Sequence, residues 1–320
     1  MTINHTDRTQ VLRTVGILLI TLTILGTSSG RSKERGARSK KVAGEETAIA
    51  GSKASHQPPA TSYELRAPHR LPDSPPMATI SAQAAYVIDG ETETVLYEKN
   101  AEMRLPMASL TKVMTAVVVL DQYRLDEVVT VPEVCTQLPP FKMGLVPGEK
   151  ISVEALLYGM LVSSGSDAAC ALSHHFEGDF LTLMNQKAEE LGLVQTHFEN
   201  EVGLDGENGN HLSTARDLVK LSQMALKNGV FRKIVGTRQV SVSDIGQGRW
   251  HNLSSTNKLL FTLPGTTGIK TGYTAQAKGC LAVSYERDGR EIIGVILGSE
   301  DRFSEMQKIL NWIFKVYTWD

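Results

Sequence analysis

Residues 280–297 read CLAVSYERDGREIIGVIL. Two apolar runs, Cys280–Tyr285 and Glu291–Leu297, flank Arg287, Asp288, Gly289 and Arg290, and Asp-Gly is the dipeptide that favours a tight hairpin turn. Downstream, Phe303–Val316 places Phe303, Met306, Ile309, Leu310, Ile313 and Phe314 on one helical face. Upstream, at the far end of the patterned region, Ala84–Asp89 (AAYVID) and Thr94–Tyr97 (TVLY) flank Gly90–Glu93 as a second hairpin. Between the two hairpins the patterns are mainly helical: 110–123, 153–161, 167–176, 179–191 and 214–227. The arrangement predicts an α+β fold. Its antiparallel sheet is built from both ends of the domain and flanked by terminal helices, with a mostly helical subdomain inserted. No internal repeat is evident.

The rest of the chain bounds this domain. The full sequence of 320 residues, 41% hydrophobic and 21% charged, is neither wholly disordered nor a polytopic membrane protein. A net charge of −2 gives no case for nucleic acid. Val15–Gly26 (VGILLITLTILG) follows Arg13 as a charge-free apolar run. Its twelve residues reach only about 18 Å as a helix, which fits a signal peptide better than a full membrane span. Small residues follow the run, but no clear A-x-A cleavage site does, so an uncleaved N-terminal anchor is the alternative. Residues 27–78 hold nine Lys or Arg against five acids, and six of the twelve prolines fall between Pro58 and Pro76. With few large apolar side chains, that stretch reads as a solvated basic linker. The expected division is 1–26 signal or anchor, 27–78 linker and 79–320 catalytic domain. Cys135, Cys170 and Cys280 include no C-x-x-C pair and cannot all be bridged internally, so no disulfide framework is expected. Cys170 reads as core.

Three short clusters carry chemistry. In Leu105–Thr115 (LPMASLTKVMT), Ser109 precedes an apolar helical run and Lys112 follows one turn later, which sets an amine beside a hydroxyl. A serine hydroxyl needs a base to act as a nucleophile at neutral pH, and a lysine serves when burial or neighbouring cations depress its pKa. Alone the pattern is weak, because Ser as a helix cap with Lys on a solvated face explains it equally. In Val162–Ala169 (VSSGSDAA), Ser164 and Ser166 lie in a tight turn between helical patterns, where Ser166 or Asp167 could simply cap the next helix. In Gly268–Thr274 (GIKTGYT), a strand edge offers Lys270 for a carboxylate, the Thr271 hydroxyl, and Gly272, where a peptide could lie against the edge.

In conjunction, S-x-x-K, a serine triplet and K-T-G in this order match the signature set of penicillin-recognising serine enzymes. The chain resembles the serine-type D-alanyl-D-alanine carboxypeptidases, the low-molecular-mass penicillin-binding proteins. The likeness runs from about Ala84 to Val316 through MASLT (107–111), ALLYGM (155–160), MNQK (184–187), THF (196–198), GLD (203–205) and HLSTARD (211–217). It implies a penicillin-binding-protein and β-lactamase-like fold and an exported, wall-facing enzyme that needs no metal or cofactor. Ser109 would attack the terminal D-Ala-D-Ala bond of peptidoglycan stem peptides, and Lys112 would take its proton. Ser164 would relay a proton to the leaving D-alanine, and Ser166 would contact substrate. Lys270 and Thr271 would bind the terminal carboxylate along the Gly272 edge, with the backbone N–H groups of Ser109 and Tyr273 as oxyanion hole. β-Lactams would acylate Ser109.

Two departures qualify the likeness. The family's second motif is Ser-x-Asn, and Ser166 stands where the asparagine amide would be. A serine cannot present an amide's donor and acceptor together, a loss of about 1 to 3 kcal/mol or roughly one to two orders of magnitude in rate. The alternative is therefore a weakened or silent wall-binding module; a β-lactamase ranks lower, since class A enzymes carry Ser-Asp-Asn there. The chain also stops about fifty residues after Lys270, which leaves no room for a C-terminal β-rich domain, so any membrane attachment is expected at the N-terminus. Among the remaining residues, His174 and His175 read as helix surface, and His197 and His211 as supports of the cleft. Ser213 or Thr214 with Asp217 reads as a helix cap, and Arg216 as a partner of Asp217 or Asp205.

Overall fold

The computed structural model describes residues 66–320, apart from 139–141, 207 and 247. Its central sheet has five antiparallel strands: β1 (Ala84–Asp89), β2 (Val95–Lys99), β3 (Thr266–Thr274), β4 (Lys278–Arg287) and β5 (Arg290–Ser299), in the spatial order β3-β4-β5-β1-β2. Both hairpins expected from the sequence are present, and the two chain ends meet where β5 pairs β1, with Val295 opposite Tyr86. The K-T-G residues lie on β3, the edge strand.

Every residue of β1 is buried because the sheet is covered on both faces. Ala85, Val87, Leu281, Val283, Ile292 and Ile296 face a helix near the C-terminus, whose Met306, Ile309, Leu310 and Ile313 complete that layer. Ala84, Tyr86, Ile88, Ala282, Ile293 and Val295 face the inserted helices. The helices are α1 (Thr111–Gln122), α2 (Val153–Leu161), α3 (Ser166–His174), α4 (Phe180–Glu190), α5 (Ala215–Leu226), α6 (Gly229–Val235), the single turn α7 (Leu259–Thr262) and the C-terminal α8 (Arg302–Val316). Expected helices are found within two residues of their sequence bounds. The α6 helix and the hairpin formed by Gln239–Ser243 with Trp250–Ser254 were not anticipated.

Side-chain caps start most of the helices: Ser152, Asp179, Thr214, Asn228 and Asp301 each accept a bond from the first turn. The two longer helices without one are α1 and α3. The candidate serines sit at the starts of those two helices: Ser109 in the turn before α1, Ser164 just before α3 and Ser166 as its first residue.

Three expectations are corrected. The signal or anchor segment and the linker up to residue 65 lie outside the described residues, but the linker's last part is not a free tether. His69–Arg70 pairs with Tyr317–Thr318, Leu71 N–H donates to Val316 O at 2.8 Å, and the Trp312 indole donates to Pro75 O at 2.9 Å. Apolar side chains at the end of α8 offer those few residues a surface that composition alone does not reveal. Cys170 is indeed buried, but as half of a disulfide to Cys135, 35 residues away, while Cys280 stays free and buried. Burial pushes the Cys280 thiol up to about 11, so it is no nucleophile. Arg216 meets neither Asp217 nor Asp205. It pairs with Glu102 and Glu98 and donates to the Tyr86 hydroxyl at 2.7 Å, while Asp217 accepts from Gln195 N and the Thr196 hydroxyl.

The disulfide carries a prediction. A bridge closing a loop of this length stabilises by about 3 to 4 kcal/mol on the chain-entropy account. Replacing both Cys135 and Cys170 with alanine is therefore expected to lower Tm by roughly 10 °C at the 2–4 °C per kcal/mol of a domain this size. Wild type in excess dithiol should drop equally in differential scanning calorimetry. A Tm indifferent to reductant would refute the contribution.

Candidate active site

Ser109 lies in the short 3-10 turn Ala108–Leu110 that leads into α1. Its side chain caps nothing. Lys112, one turn on and with no exposed surface, brings its amine to 3.1 Å from Ser109 Oγ; the same amine donates to Val202 O at 2.6 Å and reaches Ser166 Oγ at 3.4 Å. Burial lowers the Lys112 pKa to about 7, against the opposing pull of Glu201 and Asp167. A large neutral fraction at pH 7 gives this amine the lone pair a general base needs.

The backbone here is held in an unusual shape. Ala108 has φ +48° and Gly203 φ +82°. A Cβ on Gly203 would fall on the Ala108 carbonyl, and one on Gly272 would meet the Ala108 Cβ at 2.9 Å and the Ser109 amide nitrogen at 3.0 Å. Two glycines thus let the 199–205 segment and strand β3 close on the nucleophile's turn from different sides. Asn200 shapes the first of these, its Oδ1 accepting from the amides of Val202, Gly203 and Leu204.

The second and third clusters converge on the same place. Lys270 on β3, 1% exposed, donates to Ser164 Oγ at 2.8 Å and to Thr271 O at 3.0 Å. Its pKa is held well below the ordinary value, first by burial and then by the charges of Lys112 and Arg302. Ser164 adopts φ +63° and is buried. The two serines divide the two lysines between them: Ser164 meets Lys270, and Ser166 meets Lys112. The Thr271 hydroxyl is 2.6 Å from that of Thr256, and Tyr273 is exposed at the strand's open end. Arg302 donates to Gly272 O at 3.2 Å from behind. All the residues singled out from the three clusters are brought together.

Asp167, one of two candidate caps in the sequence, does something else. Its carboxylate accepts from the amides of Met143 (2.8 Å), Gly144 (2.9 Å) and Leu145 (3.2 Å), which ties a loop to the turn bearing Ser164 and Ser166. His211, set aside as a support of the cleft, accepts the Glu199 amide on Nδ1 at 2.9 Å and meets the Thr111 hydroxyl through Nε2 at 2.7 Å. The HLST stretch was the only sequence signal for it. Among the described residues, one trio of Cys or His ligand atoms lies close enough to share a metal, that of Cys135, Cys170 and His174. Its sulfurs are bonded to each other, and His174 Nδ1 lies 3.0 Å from Cys170 O.

Comparison with known proteins places the chain in a family. The D-alanyl-D-alanine carboxypeptidase family profile, peptidase S11, matches residues 71–301. The chain is 37% identical over 261 residues to a D-alanyl-D-alanine carboxypeptidase of Streptomyces sp. strain K15, covering 74% of this chain and 88% of that one. It is 33% identical over 247 residues to the carboxypeptidase DacF of Bacillus subtilis, covering 74% of this chain and 63% of the relative's length. Among solved structures, the Streptomyces K15 DD-transpeptidase superposes with a TM-score of 0.72 at 35% identity, over 75% of this chain and all of that one. The fold is that of the penicillin-binding serine enzymes, as expected from the sequence.

Proposed function

Because this chain belongs to the D-alanyl-D-alanine carboxypeptidase family, we propose that it removes the terminal D-alanine from peptidoglycan stem peptides through an acyl-enzyme on Ser109. The observation that carries the reading is the uncapped Ser109 hydroxyl 3.1 Å from a fully buried lysine whose pKa burial brings to about 7.

Neutral Lys112 takes the Ser109 proton as Oγ bonds to the carbonyl carbon of the penultimate D-alanine. The resulting oxyanion is assigned to the Ser109 and Tyr273 amides; the close approach of Gly272, the residue before Tyr273, to the Ser109 nitrogen supports this. The C–N bond then breaks, and the departing amine receives the proton through the serine hydroxyls. The last transfer is assigned to Ser164, as the family likeness implies; Ser166 Oγ lies 3.4 Å from the Lys112 amine and Ser164 Oγ 2.8 Å from that of Lys270. Lys112, neutral again, activates the water that hydrolyses the ester. Lys270 supplies the field for the substrate's terminal carboxylate, beside the hydroxyl pair of Thr256 and Thr271. An arriving carboxylate would raise the depressed Lys270 pKa, so binding and charging of that amine reinforce each other.

Residues 15–26 take the chain out of the cytoplasm, by a cleaved signal or as an N-terminal anchor. The Cys135–Cys170 bridge supports an oxidising compartment. Among the described residues no helix is long and apolar enough to cross a membrane.

Intact-mass measurement of the full chain with benzylpenicillin, beside Ser109→Ala, tests the reading, together with D-alanine release from a D-Ala-D-Ala peptide. The expected result is one adduct per chain, absent from Ser109→Ala, and released D-alanine. No adduct at high drug concentration would sink the enzyme reading in favour of a wall-binding module, and rapid adduct turnover would favour a β-lactamase.

A further inference from the structure

We infer that His211 and Thr111 form a positioning relay that aims the Ser109 amide at the oxyanion site. The inference rests on the acyl-transfer reading above and assigns roles to two residues outside its catalytic set.

The directions of the hydrogen bonds can be worked out one after another. Nδ1 of His211 faces a backbone N–H, that of Glu199 at 2.9 Å, and so must accept. In the neutral ring the proton is then on Nε2, which donates to Thr111 Oγ1 at 2.7 Å. With its oxygen already accepting, the Thr111 hydroxyl turns its own proton to Ala108 O, 2.8 Å away. Both ring nitrogens and the hydroxyl are buried, so no solvent competes for these bonds. Burial also depresses the His211 pKa to about 4, with Glu199 opposing and His197 assisting, which keeps the ring in this neutral form at neutral pH.

Ala108 O and the Ser109 N–H belong to one peptide unit. In a trans peptide these two groups point in opposite directions, so holding the carbonyl fixes the amide. The Thr111 backbone N–H also donates to Ala108 O, which gives the residue two grips on that atom. A Cβ on Gly272 of β3 would come within 3.0 Å of the Ser109 amide nitrogen, so that strand lies directly against it. Ala108 holds φ +48°, a shape that a non-glycine residue keeps only where its surroundings over-determine it. The relay supplies that constraint. Donors to an oxyanion are effective because they are fixed before the charge appears.

The test uses time-resolved acylation of the full chain by benzylpenicillin. Adduct amplitude counts folded sites, while the first-order rate at saturating drug reads their geometry. Thr111→Val removes the hydroxyl at nearly constant shape and is expected to slow that rate about 10- to 100-fold, as small misplacements at reacting centres do. Drug concentration at half-saturation, amplitude and the pH midpoint set by Lys112 should stay near wild type. Thr111→Ser restores the hydroxyl and should recover the rate to within about threefold. His211→Phe should slow acylation comparably, and the Thr111→Val/His211→Phe double variant should be no slower than the slower single, since the parts act as one chain. A wild-type rate in Thr111→Val, failure of Thr111→Ser to rescue, or losses that multiply in the double variant would overturn the relay. Absence of an adduct on wild type would take down the acyl-transfer reading and the relay with it.

Discussion

Lys112→Met is expected to slow acylation of Ser109 by about two to four orders of magnitude, the span that a positioned general base contributes. The amine is fully buried and sits 3.1 Å from Ser109 Oγ, where it can take that proton. With a pKa of about 7, the wild-type rate should fall roughly tenfold for each pH unit below that point and level off above it, because only the neutral amine accepts a proton. The variant should lose this limb as well as the rate. Methionine matches the lysine stem in volume and removes a buried charge, so the fold should survive and gain at low pH, less the cost of the Val202 carbonyl left without its donor. The sign of that gain is fixed by the shift. A folded pKa of about 7 against an ordinary 10.5 means the folded state binds the proton more weakly than the unfolded chain does. Lys112 therefore costs the wild type most below pH 7 and nothing above the unfolded value, and the variant's advantage follows the same curve. Rates of benzylpenicillin adduct formation between pH 5 and 9, with melting curves alongside, check both parts. An acid limb that persists at the same midpoint in Lys112→Met would assign the base to another group, with Lys270 the first to examine.

Why the sequence disclosed some of this and not the rest follows from the range of each interaction. Ser109 and Lys112 are one helical turn apart, and 3.6-residue periodicity joins them whatever the rest of the fold does. The Asp288-Gly289 hairpin and its partner at residues 84–97 are equally local, so the sheet and its closure by both chain ends could be read directly. The bond from Lys270 to Ser164 spans 106 positions, and only the order of motifs in a resembling family hinted at it. Which serine meets which lysine was beyond that hint, because it depends on the left-handed backbone at Ser164. Capping chemistry misled in one specific way. Serine and aspartate at a helix start are the commonest caps, yet at α1 and α3 those side chains face the cleft or a distant loop. The Cys135–Cys170 pairing escaped because an odd cysteine count without a spacing motif leaves connectivity open. Arg216 found Glu98 and Glu102 on the far side of a chain crossing that no local pattern encodes.

Asp167→Ala should have the largest effect on stability of any single change near the site. The carboxylate is fully buried and gathers the amides of Met143, Gly144 and Leu145, with the Ala168 amide at 2.9 Å as a fourth. Hydrogen bonds to a charged acceptor are among the stronger ones, and deleting it strands several buried donors at once. A loss of about 3 to 5 kcal/mol is expected, which lowers Tm by on the order of 10 °C for a domain of this size. Asp167→Asn, which keeps one acceptor oxygen, should lose less and remain folded enough for kinetics. There a second effect becomes visible. Asp167 is one of the two carboxylates that favour the charged form of Lys112, so neutralising it should move the acid limb of acylation to lower pH. The direction is set by Coulomb attraction between the carboxylate and the ammonium. A limb that stays in place would mean that Glu201 alone provides the attraction. A limb that moves upward would contradict the electrostatic account of how this lysine is tuned. Together the two variants separate the work of one buried carboxylate into holding a loop and setting the pKa of the base, two roles joined by the single turn that presents Ser164 and Ser166 to the lysines.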